Sequence, residues 1–183
     1  APPDPIALAV RTLRDALTDD SAVVRSRAAR ALGLLGLPAA ETAPGLIALL
    51  KDADETVRCE AAESLGQVGG MKEAAVDALV ELLQDASAST KASAARALGS
   101  LKKAAARAVP ALVLLLQDRE EAVRTAVAEA IAQVGPLNGA VTDSLVEGLA
   151  SLDNVVRAQT AKALGMIGAP AHETASALVE ALE

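Results

Sequence analysis

Two side chains that commonly carry metal or nucleophilic chemistry occur once each in this sequence, His172 and Cys59. A metal site needs several converging ligands, and a thiol nucleophile needs a base within hydrogen-bond reach. Cys59 lies in no CxxC pair and has no His at a suitable separation. A single Cys also excludes an internal disulfide. The glycines of Leu32-Gly33-x2-Gly36 and its copies suggest a phosphate loop. A dinucleotide fingerprint, however, needs a strand before its glycines, and a Walker loop needs Gly-Lys-Ser/Thr. Neither is present. The remaining chemistry-bearing set is Asp19 with Arg25, which recurs as Asp52/Arg58, Asp85/Lys91 and Asp118/Arg124. A catalytic site needs unlike groups converging once, so a row of identical pairs points to structure. Each Asp is expected to cap an inter-helix turn, with the Arg stem packed and its head bonded to neighbouring turns. Ser151 replaces the Asp in the last full unit, so the row should be weaker there.

Composition narrows the function further. The chain has 183 residues, 52% apolar and 22% charged, with mean hydropathy +0.33, so it is no disordered segment. A net charge of −7 and a pI near 4.8 oppose a general nucleic-acid binder, which needs a broad basic surface. There is no Phe, Tyr or Trp, hence no stacking platform for bases and none of the aromatic anchors that dominate most interfaces. The apolar run Ala108–Leu116 is about half of the ~20 residues that a membrane span requires. Ala1-Pro2-Pro3-Asp4-Pro5 looks like a leader or cut site and not a signal peptide. No membrane partner, no cofactor and a cytoplasmic location are the expectations.

The elements that must position these residues come from an internal repeat. Val24-Arg25 returns as Val57-Arg58, Thr90-Lys91, Val123-Arg124 and Val156-Arg157, always 33 residues on. Leu13, Leu46, Leu79, Leu112, Leu145 and Leu178 stay in register, as do Leu17, Leu50, Leu83, Leu116, Leu149 and Leu182. The chain is therefore one tandem array, with units at about 6–38, 39–71, 72–104, 105–137 and 138–170 and a terminal helix at 171–183.

Each unit contains two helices. Helix A carries the two Leu columns, and Pro44 and Pro110 fall near its start. In helix B, Val24, Ala28, Ala31, Leu32 and Leu35 follow the three-and-four spacing of one buried face. Ser21, Asp54, Ser87, Glu120 and Asp153 stand at its N-cap, and Gly36, Gly69, Gly135 and Gly168 at its end. In the third unit Lys102 stands at the glycine position, and Ser100–Val109 contains neither Gly nor Pro. Helix B there is expected to run on and alter the curvature. Nothing alternates with period two, so no strand is expected.

Asp19-x4-Val24-Arg25-x2-Ala28-Ala29-x-Ala31-Leu32-Gly33-x2-Gly36 resembles the HEAT-like repeat family in its short bacterial and archaeal form, over residues 6–183. That form also occurs in phycobilin lyase subunits and deoxyhypusine hydroxylase. The resemblance implies an all-α fold, a right-handed α-solenoid with helix A outside and helix B lining the concave surface. Deoxyhypusine hydroxylase binds iron through several His-Glu pairs. Here His172-Glu173 is the one such pair, so that activity is rejected.

On the outward face of helix B one column reads Arg30, Glu63, Arg96, Glu129, Lys162, alternating in sign. Beside it runs a column of small residues, Ser26, Cys59, Ala92, Thr125, Ala158. Together they form the candidate protein-binding surface, a shallow groove with a charged edge. The same charges would also neutralise one another as a solvated face. Cys59 is expected to be solvent-reachable on the groove floor. Lys102, Lys103 and Arg107, with Lys91 and Arg96 nearby, make a secondary basic patch suited to an acidic partner or a phosphate. The function expected is a non-catalytic interaction scaffold for another protein or peptide, with self-association through the terminal helices as a further possibility. The alternative is a subunit of the chromophore-lyase kind, holding a substrate protein while chemistry occurs elsewhere, or a fragment or consensus-like chain without a specific partner.

Overall fold

The computed structural model of the chain describes residues 4–134 and 145–167. Helices α1 (Pro5–Ala16), α3 (Ala43–Leu49), α5 (Lys72–Leu82) and α7 (Val109–Leu114) are the A helices of successive units. Helices α2 (Ala22–Leu35), α4 (Glu55–Val68), α6 (Ala88–Ser100), α8 (Glu121–Val134) and α9 (Asn154–Ile167) are the B helices. Residues 145–149 are also helical, and no strand occurs among the described residues. The result is an all-α solenoid in which α2, α4, α6, α8 and α9 stack in order.

Local chemistry sets the ends of these helices. Asp54 caps α4 by accepting the N–H groups of Thr56 (2.8 Å) and Val57 (3.2 Å). Asp153 accepts from Val155 N at 2.7 Å, and Ser87 Oγ from Thr90 N at 3.3 Å. Ser21 makes no side-chain cap bond. Pro44 and Pro110 sit in the first turn of α3 and α7, where a missing N–H costs nothing. Each is preceded by a 3-10 stretch, Leu37–Thr42 and Lys102–Ala108, so these A helices begin tightly wound.

Helix α6 does not run on. It ends at Ser100, and Lys102 takes φ +53°, in register with Gly36 at +65° and Gly69 at +67°. Packing of the array thus imposes the left-handed turn on a residue with a Cβ, against a local preference of about 1–2 kcal/mol. Gly135 and Gly168 lie outside the described residues.

One apolar cluster extends from Val10 to Leu164. Leu46, Leu79, Leu112 and Leu145 from the A side meet Leu32, Leu65, Leu98 and Ile131 from the B side, all essentially inaccessible. Each such side chain contributes about 1.5–3 kcal/mol by leaving water. The first unit departs from the pattern. Val24 is 39% exposed, whereas Val57, Thr90 and Val123 in the same column are fully buried. Ile6 and Leu8 of α1 are exposed as well.

Candidate functional site

The B helices approach one another backbone to backbone. A Cβ on Gly66 would lie 3.0 Å from Ala97 Cα, and one on Gly99 would lie 2.9 Å from Ala130 Cα. At Gly33 it would meet Ser64 Oγ at 2.7 Å, and that hydroxyl donates to Ala29 O across the same seam at 2.8 Å. Gly45, on the A side, meets only a Leu17 methyl. The B helices thus form a closely packed row along the stack.

This closeness narrows the small-residue column, which is only partly open. Ser26 and Ala92 are buried, Cys59 and Thr125 are half-buried, and only Ala158 is exposed. Cys59 is half-buried, with Sγ 3.6 Å from Thr90 Oγ1 of the next B helix. A helical wheel treats the side opposite the core as free. Here each internal B helix is covered by its A partner and by a B helix on either side.

The charged column does face outward. Arg96 donates to Glu63 Oε1 at 2.7 Å, and Ser93 Oγ donates to the same oxygen at 3.0 Å. Arg30 pairs at 3.6 Å with Glu60, one turn before Glu63, and not with Glu63 itself. Half-exposed pairs of this kind are worth about 0–1 kcal/mol. Arg27, Glu129 and Lys162 are exposed and form no ion pair among the described residues.

A further outward column was missed in the sequence, although its 33-residue register is visible there: Leu34, Gln67, Ser100 and Gln133, all exposed. Gln67 Oε1 lies over the bare Cα of Gly33, and Gln133 Oε1 lies over Gly99. The amides thus rest on the preceding helix, with hydrogen-bonding capacity left toward the groove. Arg30, Leu34, Glu60, Glu63, Ser64 and Gln67 line a depression of about 190 Å³ at the first seam.

Along the A–B turns the Asp/Arg row forms a ladder between units. Asp19 Oδ1 accepts from Ser21 N, and Arg25 Nη1 donates to the carbonyls of Asp19 and Asp20. The same Arg reaches the next unit, with Nε 2.7 Å from Asp52 Oδ2 and Nη2 2.9 Å from Oδ1. Arg58 repeats this with Asp85, and Lys91 reaches Asp118. The hydrogen bond from Arg25 holds the Asp52 carboxyl below its ordinary pKa, against the opposing effect of burial. At Asp118 burial pushes upward, but the bonds from Lys91 and from Glu120 N win and the pKa is lowered. The ladder is structural.

The basic patch is dispersed. Lys91 is engaged by Asp118 on the turn edge and Arg96 by Glu63 on the outward face of the B helices. Arg107 bridges to Asp77 at 2.8 Å and to Glu73 O. Lys102 and Lys103 remain exposed, without an ion pair among the described residues. Those residues hold no group of three or more His, Cys, Asp or Glu placed to bind a metal ion, and His172 lies outside them. No described helix is long and apolar enough to cross a membrane.

These features define the class, an α-solenoid of tandem helical pairs with an outward face of charges, amides and small residues. Residues 10–99 and 76–165 match the family model of HEAT repeats, and the chain belongs to that family. Residues 156–183 match the model of the PBS lyase HEAT-like repeat. Among solved structures, the chain is similar to an engineered protein at 27% identity and TM-score 0.65, covering 94% of this chain and 84% of that one. It is also similar in fold to a designed armadillo repeat protein in complex with the peptide (KR)4, at 23% identity and TM-score 0.66, covering 97% and 88%. A third similar fold is the complex of CpcE and CpcF of phycocyanin lyase from Nostoc sp. PCC7120, at 24% identity and TM-score 0.61, covering 86% and 98%. No curated protein matches the sequence.

Proposed function

We propose that the chain is a non-catalytic scaffold that holds an extended segment of another protein along its concave B face. The observation that carries this reading is the pair of outward columns, Arg30/Glu63/Arg96/Glu129/Lys162 and Gln67/Ser100/Gln133, presented once per unit on a row of tightly packed helices. Neighbouring helices sit about 8–10 Å apart, and an extended chain rises about 3.3 Å per residue. One unit therefore corresponds to about three residues of a bound segment, whose backbone groups the amides can engage. Charges of both signs favour a mixed-charge segment over a strongly basic or acidic one. The designed armadillo protein that carries (KR)4 supports the capacity of such an architecture to hold a peptide, not the sequence of the peptide held here.

A peptide array probed with the purified chain tests this reading. Binding should fall at least tenfold in the Gln67→Ala/Gln133→Ala variant and in the Arg30→Glu/Glu129→Arg variant. It should persist when Lys51 and Glu81, on the A side, are replaced by Ala. Binders indifferent to the concave variants would place the surface elsewhere.

The match of residues 156–183 to the PBS lyase repeat favours a second reading, a subunit that holds a substrate protein while a partner performs the chemistry. Incubation with a bilin and an apo carrier protein separates the two readings, because a covalent adduct that depends on this chain is expected only of the second.

A further inference from the structure

The Asp/Arg ladder closes at three rungs and stays open at the fourth. Arg25 and Arg58 each offer the Nε/Nη2 edge to a carboxylate 27 residues on, at 2.7 and 2.9 Å for Asp52 and at 2.8 and 3.3 Å for Asp85. In both, Nη1 is anchored by two carbonyls of the preceding turn, which fixes the plane of the guanidinium. Arg124 is anchored in the same way, with Nη1 donating to Asp118 O at 2.7 Å and to Arg119 O at 2.9 Å. The residue 27 positions on is Ser151. Its hydroxyl accepts Asp153 N at 3.2 Å, the bond that Asp52 Oδ1 accepts from Asp54 N in its own turn. It supplies nothing to the guanidinium. Arg124 Nε is buried and has no partner among the described residues. Gln159 Oε1 and Thr160 Oγ1, on α9 of the following unit, are likewise buried without partners.

We propose that the Arg124–Ser151 rung is a binding site for one carboxylate group, taken from outside the chain and seated as Asp52 and Asp85 are seated on their arginines. A planar monoanion fits the fork of Nε and Nη2 with two parallel hydrogen bonds. Bulk points the same way, since the group to be replaced is a single carboxyl in a packed turn. Nearby charge also favours a monoanion over a phosphate dianion. Asp153 lies two residues from the site, an arrangement that the first rung tolerates, where Asp52 and Asp54 coexist around Arg25. Because Nε is covered, entry requires the turn around Ser151 to yield slightly, and this favours a small ligand such as formate or an Asp side chain. The site lies on the turn edge of the array and does not depend on what the concave face binds.

The test follows the Arg124 Nε–H resonance in protein labelled with 15N-arginine, together with thermal unfolding. Sodium formate and N-acetylaspartate amide are titrated separately against sodium chloride at equal ionic strength. A saturable shift of that resonance, with Tm raised by about 2–4 °C over chloride, is expected with at least one of the two carboxylates. Formate alone would identify a free small anion as ligand, and the aspartate compound alone a peptide side chain. In Ser151→Asp, which repeats a residue used at three other rungs, the resonance should sit at its bound position without ligand and respond to neither compound. An identical response to chloride, no response to either carboxylate, or a Ser151→Asp protein that still responds would overturn the proposal.

Discussion

At the scale of single residues, the ladder and the left-handed turns determine what substitutions do. Asp52 and Arg25 are 8% and 18% exposed, and Asp52 answers both the guanidinium and the turn N–H of Asp54. Asp52→Asn removes the charge and should lower Tm by about 2–4 °C, read by thermal denaturation at pH 7. Asp52 and Asp118 both titrate below the ordinary carboxylate value in the folded chain. Their contribution is therefore fully present above the unfolded pKa, about 3.9. It is lost as pH falls through the lower folded values. Stability should hold from pH 7 to about 5 and decline below about 4. The decline should be shallower in Asp52→Asn, which urea titrations between pH 3 and 7 would reveal. At Lys102, φ +53° is carried by a residue with a Cβ. Lys102→Gly should stabilise by roughly 0.5–1 kcal/mol, because relief of left-handed strain outweighs the extra freedom of the unfolded chain. An unchanged or lower urea midpoint would show that the strain is relieved in another way.

At the scale of elements, the B-helix seams make one substitution opposite in effect at different positions. Gly66→Ala and Gly99→Ala place a methyl against the backbone of Ala97 and Ala130, at 3.0 and 2.9 Å. Overpacking should cost about 1–3 kcal/mol and outweigh the helix propensity gained. Gly165 occupies the same column on α9 with nothing within 4 Å, so Gly165→Ala should stabilise by about 0.5–1 kcal/mol. Chemical denaturation of the three variants checks the contrast. The column of glycines was legible in the sequence as a 33-residue repeat, but its energetic sign at each position was not. That sign depends on which helix lies across the seam. The same contacts close most of the small-residue column and leave the Gln67/Ser100/Gln133 column outside.

At the scale of the molecule, a stack of units that touch mainly their neighbours should be elongated. Small-angle scattering should give a radius of gyration above the roughly 16 Å of a compact chain of this length. The apolar surface that Ile6, Leu8 and Val24 expose on the first unit should drive concentration-dependent self-association of this chain. Sedimentation of the wild type and of Ile6→Glu/Val24→Glu is the check, with the variant expected to stay monomeric where the wild type does not. The companion expectation for the helix at 171–183 falls outside the described residues.

The sequence by itself determined the helical pairs, their 33-residue register, the Leu columns of the core and the structural nature of the Asp/Arg row. All of these follow from local periodicity and from repetition along the chain. It also located the weak rung, because Ser151 stands where the other units have Asp. Only the tertiary structure decided the rest. Lys102 turns where local preference would continue a helix, because the next A helix must return to the same place on the stack. Cys59 faces a neighbouring helix because a B helix in an array is covered on three sides, which a single-helix pattern cannot express. Arg124 keeps its guanidinium in place because two carbonyls six and five residues before it hold Nη1, whether or not a carboxylate is there to meet the other edge.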